Sequence, residues 1–177
     1  MRIVSVGRAL PEHYYDQDQL LEALGRLWAG RFHNPKRLER IQRNTLVGGR
    51  HLALPMESYE GLRGFGASND AFIRCGLDLA ERAIRDALAA AQLEPRDVDA
   101  IWSLSVTGIA APSLDARLVN RLGLRSDVKR TPIFGLGCVG GAAGIARAAD
   151  YLRAFPRETA LVLAVELCSL TLQREDA

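Results

Sequence analysis

Two stretches, Ala100-Ile101-Trp102-Ser103-Leu104-Ser105-Val106-Thr107 and Thr159-Ala160-Leu161-Val162-Leu163-Ala164-Val165-Glu166, are apolar at nearly every position rather than at every second one. Strict alternation marks a strand with one wet face, whereas a near-continuous apolar run fits a strand covered on both faces, as in parallel sheets flanked by helices. Parallel neighbours need long crossovers, and helical periodicity fills the intervals here. The chain therefore reads as a layered α-β-α protein with mostly parallel buried strands, to which residues 2 to 7 and Thr131–Leu136 add further strands.

Between these strands, Phe72, Ile73, Leu77, Ala80, Ala83, Ile84, Ala87, Leu88 and Ala91 recur at helical spacing, giving a long helix from Ser68 to about Gln92 with a wide inward face. Asp16 caps an earlier helix running to about Phe32, with Leu20, Leu21, Leu24, Leu27 and Trp28 on its apolar side. Pro35 opens another, in which Lys36, Arg37, Arg40 and Arg43 offer cations while Leu38 and Ile41 face inward. The glycine-rich stretch from Val47 to Gly66 reads as an irregular loop placed to cover an entrance. Pro112-Ser113 starts a short helix that Gly123 ends, and a last helix runs to about Phe155.

The segment Phe134-Gly135-Leu136-Gly137-Cys138-Val139-Gly140-Gly141-Ala142-Ala143-Gly144 carries the chemistry. An apolar strand ends in a glycine-lined turn, and one thiol sits where a helix begins. Unpaired backbone N–H groups and the positive end of the helix dipole favour an anion there, so Cys138 reads as a nucleophile. Glycines around it keep bulky side chains from blocking the sulfur. The alternative is a cysteine that merely fills a tight strand-to-helix joint. Cys75, within the long amphipathic helix, reads as structural.

With 177 residues, 48% of them hydrophobic and 25% charged, the chain has material for one globular domain with a real core. Lys and Arg total 23 against 21 Asp and Glu, and a net charge of +2 gives no general pull toward nucleic acid. The apolar run at the N-terminus is too short for a secretory signal, and no stretch approaches a membrane span. Three widely spaced cysteines argue for a reducing, cytoplasmic setting. His13, His33 and His51 belong to no metal-ligating constellation and read as surface or loop residues. Glu166, ending an apolar strand, needs a partner for its charge or must be protonated.

Four segments together resemble one family: Gly49-Arg50-His51-Leu52-Ala53-Leu54-Pro55, Ser105-Val106-Thr107-Gly108-Ile109-Ala110-Ala111-Pro112-Ser113-Leu114-Asp115, Gly137-Cys138-Val139-Gly140-Gly141 and Val165-Glu166-Leu167-Cys168-Ser169-Leu170-Thr171. In this order and spacing they are similar to the chalcone synthase-like type III polyketide synthases of the thiolase superfamily, most of all to bacterial members. The resemblance spans the chain. It implies the N-terminal half of a thiolase-like fold and an acyltransferase in which Cys138 accepts an acyl group from a CoA thioester. Malonyl-CoA then extends that group by decarboxylative Claisen condensation.

By the same resemblance, Arg37 and Arg40 fall where relatives hold CoA phosphates, and Val106, Thr107, Cys168 and Thr171 fall where they line the acyl and cyclisation cavity. A solvated helix face is the other reading of the two arginines. Asn44 replaces a lysine of plant relatives, Cys168 a common threonine, and Ala111 a methionine that plant enzymes extend into the partner subunit. The implied substrates are CoA thioesters, with no tightly bound cofactor, and a homodimer is the implied assembly. The histidine and asparagine that complete the family's condensing centre have no counterpart here, so the chain reads as a single domain, 1–177, matching half of such a synthase. A ketoacyl synthase III or a hydroxymethylglutaryl-CoA synthase would use the same cysteine. A non-catalytic half serving in binding or assembly is the remaining alternative.

Overall fold

The computed structural model describes residues 2–29 and 35–173. Its centre is a parallel sheet of order β4-β3-β5, formed by β3 (Ala100–Ser105), β4 (Lys129–Phe134) and β5 (Ala160–Ala164). Trp102 lies opposite Thr131 on one side and Val162 on the other. The alternation of side chains divides β3 between two layers. Ile101 and Ser103 face the long helix α3 (Gly64–Ala91) and the shorter α4 (Leu114–Leu122), while Trp102 and Leu104 face α5 (Gly140–Ala154). The larger core joins Phe72, Ile84, Ile101, Leu118 and Leu163, and a smaller one under α5 joins Ala100, Trp102 and Ala148. This is the layered α/β arrangement that the apolar runs imply.

Helix α3 forms because buried residues recur on one stripe, Ala71, Phe72, Gly76, Leu77, Ala80, Ile84 and Leu88, and Gln92 closes it in the left-handed region. Helix α4 ends at Gly123, with φ of 72°. In its first turn Asp115 is wholly buried, accepting from the Ser103 hydroxyl at 2.6 Å and from Arg130 at 2.9 Å. One carboxylate thus joins α4 to β3 and β4.

Several expectations are corrected. Residues 2 to 7 form neither helix nor strand, and Ile3, Val4 and Val6 are exposed. The segment instead lies along α3, where Ser5 Oγ donates to Ala87 O, Arg8 N to Asp86, and Gly7 rests against Ala83 and Ala87. Those alanines serve the contact by being small. The loop expected over Val47–Gly66 contains a strand, β2 (Gly49–Leu52), paired antiparallel with β1 (His13–Asp16), then a 3-10 turn at Met56–Gly61, and α3 starts at Gly64 rather than at Ser68. His13 and His51 lie in strands, with His51 at the surface as expected and His13 partly buried, while His33 lies outside the described residues. Asp16 caps α1 (Gln17–Leu27) in a reciprocal arrangement with Gln19, and the predicted end at Phe32 falls outside the described residues. Helix α2 spans Pro35–Asn44, but Ile41 points to solvent rather than inward, and the side chain of Leu38 is outside the described set. Strand β5, expected to be buried on both faces, is an edge of the described sheet with Leu163 alone fully buried.

Candidate active site

Strand β4 delivers the chain to a turn that two glycines make possible. Gly135 has φ of 87° and Gly137 φ of 58°, conformations that side chains disfavour. A 3-10 turn at Gly137–Val139 then runs directly into α5, and it holds Cys138 exposed. Helix α5 packs close to the sheet because Gly144 faces Leu104 and Val162, where a Cβ would lie 2.9 and 3.0 Å from their side chains. The thiol therefore stands on the turn that leads into a helix pressed onto the central strand, and the first N–H groups of such a helix point towards its N-terminal end.

Cys138 borders a cavity of about 220 Å³, together with Leu104, Ser105, Val106, Leu136, Gly140, Gly141 and Glu166. A second, larger cavity of about 1310 Å³ lies beside it, walled by Leu20, Leu21, Leu24 and Leu27 of α1, by Tyr59 and Arg63, and by Cys168 and Thr171. Glu166 borders both. Its carboxylate accepts from the backbone of Val106 at 3.1 Å and Thr107 at 3.1 Å, and from the Thr107 hydroxyl at 2.7 Å. Thr107 Oγ1 in turn accepts from Leu167 N at 2.9 Å. The partner that Glu166 requires is thus the turn following β3, from 59 to 60 residues away in sequence. This tie is invisible in the sequence, where nothing relates the two segments except that each ends a strand.

The candidate residues divide accordingly. Val106 borders the cavity of Cys138; Cys168 and Thr171, on the 3-10 turn Cys168–Thr171, border the larger one; Thr107 borders neither and acts on Glu166 instead. Arg37 and Arg40 lie exposed on α2 and border neither cavity. Cys75 is half-buried, its thiol directed at Ala53 O at 3.6 Å, as its structural reading requires. Sequence reasoning missed Tyr59, whose hydroxyl donates to Ser169 at 2.7 Å and fixes the wall of the larger cavity; burial pushes that phenol above its ordinary range. Among the described residues no group of three or more His, Cys, Asp or Glu is placed to hold a metal ion, and no helix is long and apolar enough to cross a membrane.

Residues 75–174 match the family described as FAE1/Type III polyketide synthase-like protein. The chain belongs to that family. It is 51% identical over 173 residues to a 1,3,6,8-tetrahydroxynaphthalene synthase of Streptomyces peucetius subsp. caesius, an alignment covering 98% of this chain and 46% of the relative. It is 35% identical to a phloroglucinol synthase of Pseudomonas fluorescens, over 94% of this chain and 47% of that one. The solved 1,3,6,8-tetrahydroxynaphthalene synthase of Streptomyces coelicolor, a bacterial type III polyketide synthase, superposes with a TM-score of 0.90 at 34% identity, covering 98% of this chain and 50% of that one. The chain thus has the thiolase-like layered fold and spans about half the length of these relatives.

Proposed function

We propose that this chain carries the acyl-capture chemistry of a type III polyketide synthase, with Cys138 as the nucleophile. The observation that carries the reading is the position of Cys138, exposed on the turn that feeds α5 and open to a cavity that glycines, Leu104, Val106 and Leu136 share with Ser105 and the Glu166 carboxylate. The thiolate attacks the carbonyl carbon of a CoA thioester, the carbon to CoA-sulfur bond breaks, and the CoA thiolate leaves to take up the proton Cys138 gave to solvent. N–H groups at the start of α5 stabilise the oxyanion formed on the way. Extension of the captured acyl group with malonyl-CoA is the reaction proposed for the whole enzyme. Arg37 and Arg40 are proposed to meet the CoA phosphates from α2, and the assembly is proposed to be a homodimer.

The test is intact-mass analysis after incubation with acyl-CoA and malonyl-CoA. An acyl adduct that maps to Cys138 and vanishes in Cys138→Ala is the expected result. Adducts spread over Cys75 and Cys168, or an undiminished adduct in the variant, would remove Cys138 from its role.

A further inference from the structure

Residues 106–112, which follow β3 and begin with the Val106 wall of the nucleophile's cavity, form neither helix nor strand. Loops of that kind are ordinarily the mobile part of a fold. This one is tied along its length. Glu166 holds Val106 and Thr107, Gly108 lies flat against the Phe72 ring, and Arg117 Nε donates to Pro112 O at 2.9 Å. The middle of the loop is held by Asn69, near the start of α3: its Nδ2 donates to Ile109 O at 2.9 Å and its Oδ1 accepts from Ile109 N at 2.8 Å. A carboxamide so engaged satisfies both main-chain groups of Ile109, as a neighbouring strand would, and the pairing fixes which end of the amide is which.

We propose that Asn69 is a positioning residue for acyl-chain selection at Cys138. It touches no substrate; it fixes Ile109, and through the short link of Gly108 it steadies the main chain of Thr107 and of Val106, which borders the cavity of the thiol. Ile109 leaves its own side chain half in solvent, so the contact acts on the backbone and not by packing. The inference rests on the reading of Cys138 as the acyl acceptor.

The experiment compares rates of adduct formation on Cys138 with acetyl-, hexanoyl- and dodecanoyl-CoA, by intact mass, for the wild-type chain, Asn69→Ala, Asn69→Asp and Ile109→Ala. Loss of the clamp, two hydrogen bonds in Asn69→Ala, is expected to change the short-to-long rate ratio by at least about fivefold, the factor carried by a single net hydrogen bond. Ile109→Ala, which keeps both hydrogen bonds, is expected to leave the ratio within about twofold of wild type, well short of that factor. Hydrogen exchange of the wild-type chain is expected to show the amides of Val106, Thr107 and Ile109 protected. Folded Asn69 variants with an unchanged ratio would overturn this inference alone, as would fast exchange at those three amides should the variants not fold. Absence of any adduct on wild-type Cys138 would overturn the acyl-capture reading and this inference with it.

Discussion

Among the three cysteines, environment rather than chemistry sets the order of reactivity. Cys138 sits exposed at a helix start, Cys168 is exposed on a turn, and Cys75 is half-buried against a carbonyl. Iodoacetamide at near-neutral pH followed by peptide mapping is expected to label Cys138 first and Cys75 last; faster labelling of either other thiol would count against the nucleophile. The turn that presents Cys138 depends on Gly137, whose φ of 58° suits a residue without a Cβ. Gly137→Ala is expected to cost about 1–2 kcal/mol in urea unfolding and to slow alkylation of Cys138, because the strain is relieved by moving the turn.

Helix α5 supplies a matched pair of tests at the scale of the element. A methyl at Gly144 meets Leu104 and Val162, so Gly144→Ala is expected to destabilise by about 1–3 kcal/mol. Gly141 has nothing within 4 Å of an added Cβ, and Gly141→Ala is expected to stabilise by about 0.5–1 kcal/mol. Equal effects would mean that helix propensity and not contact with the sheet governs α5. The Asp115 tie is asymmetric in the same way. Arg130→Ala leaves a wholly buried carboxylate with the Ser103 hydroxyl and is expected to cost about 3–5 kcal/mol, whereas Asp115→Asn keeps a polar partner for Ser103 and is expected to cost about 1–3 kcal/mol. Chemical denaturation of both variants orders them.

What the sequence disclosed at this scale is what local pattern can carry. The stripe of α3, the apolar run of β3, the Asp16 cap and the glycine turn before Cys138 each fall within a few consecutive residues. What it concealed depends on distant partners. Ile3, Val4 and Val6 have strand-like composition, yet a strand needs a neighbour to accept its hydrogen bonds, and α3 takes the segment instead. Strands β1 and β2 are short and polar and exist because they find each other across α1 and α2. The clamps of Glu166 and Asn69 on the loop after β3 join residues 40 to 60 apart, and no periodicity signals them.

Taken as a whole, the molecule leaves Phe134, Leu136, Val139 and Ile145 exposed around the end of β4 and the outer side of α5. Apolar side chains so grouped favour association. Size exclusion with light scattering across a range of concentrations is expected to show a dimer or larger species, and a clean monomer that binds no hydrophobic dye would contradict it. A different consequence follows from Glu166 standing in the walls of two cavities. Val106 lines one and Cys168 the other, and each is joined to that carboxylate, by a hydrogen bond from Val106 N or by near adjacency in the chain. Their substitutions are therefore not independent. A change that suits one chamber alters the background in which the other is read, so the effects of substitutions at Val106 and Cys168 are expected not to add, and variants chosen one position at a time misjudge the pair.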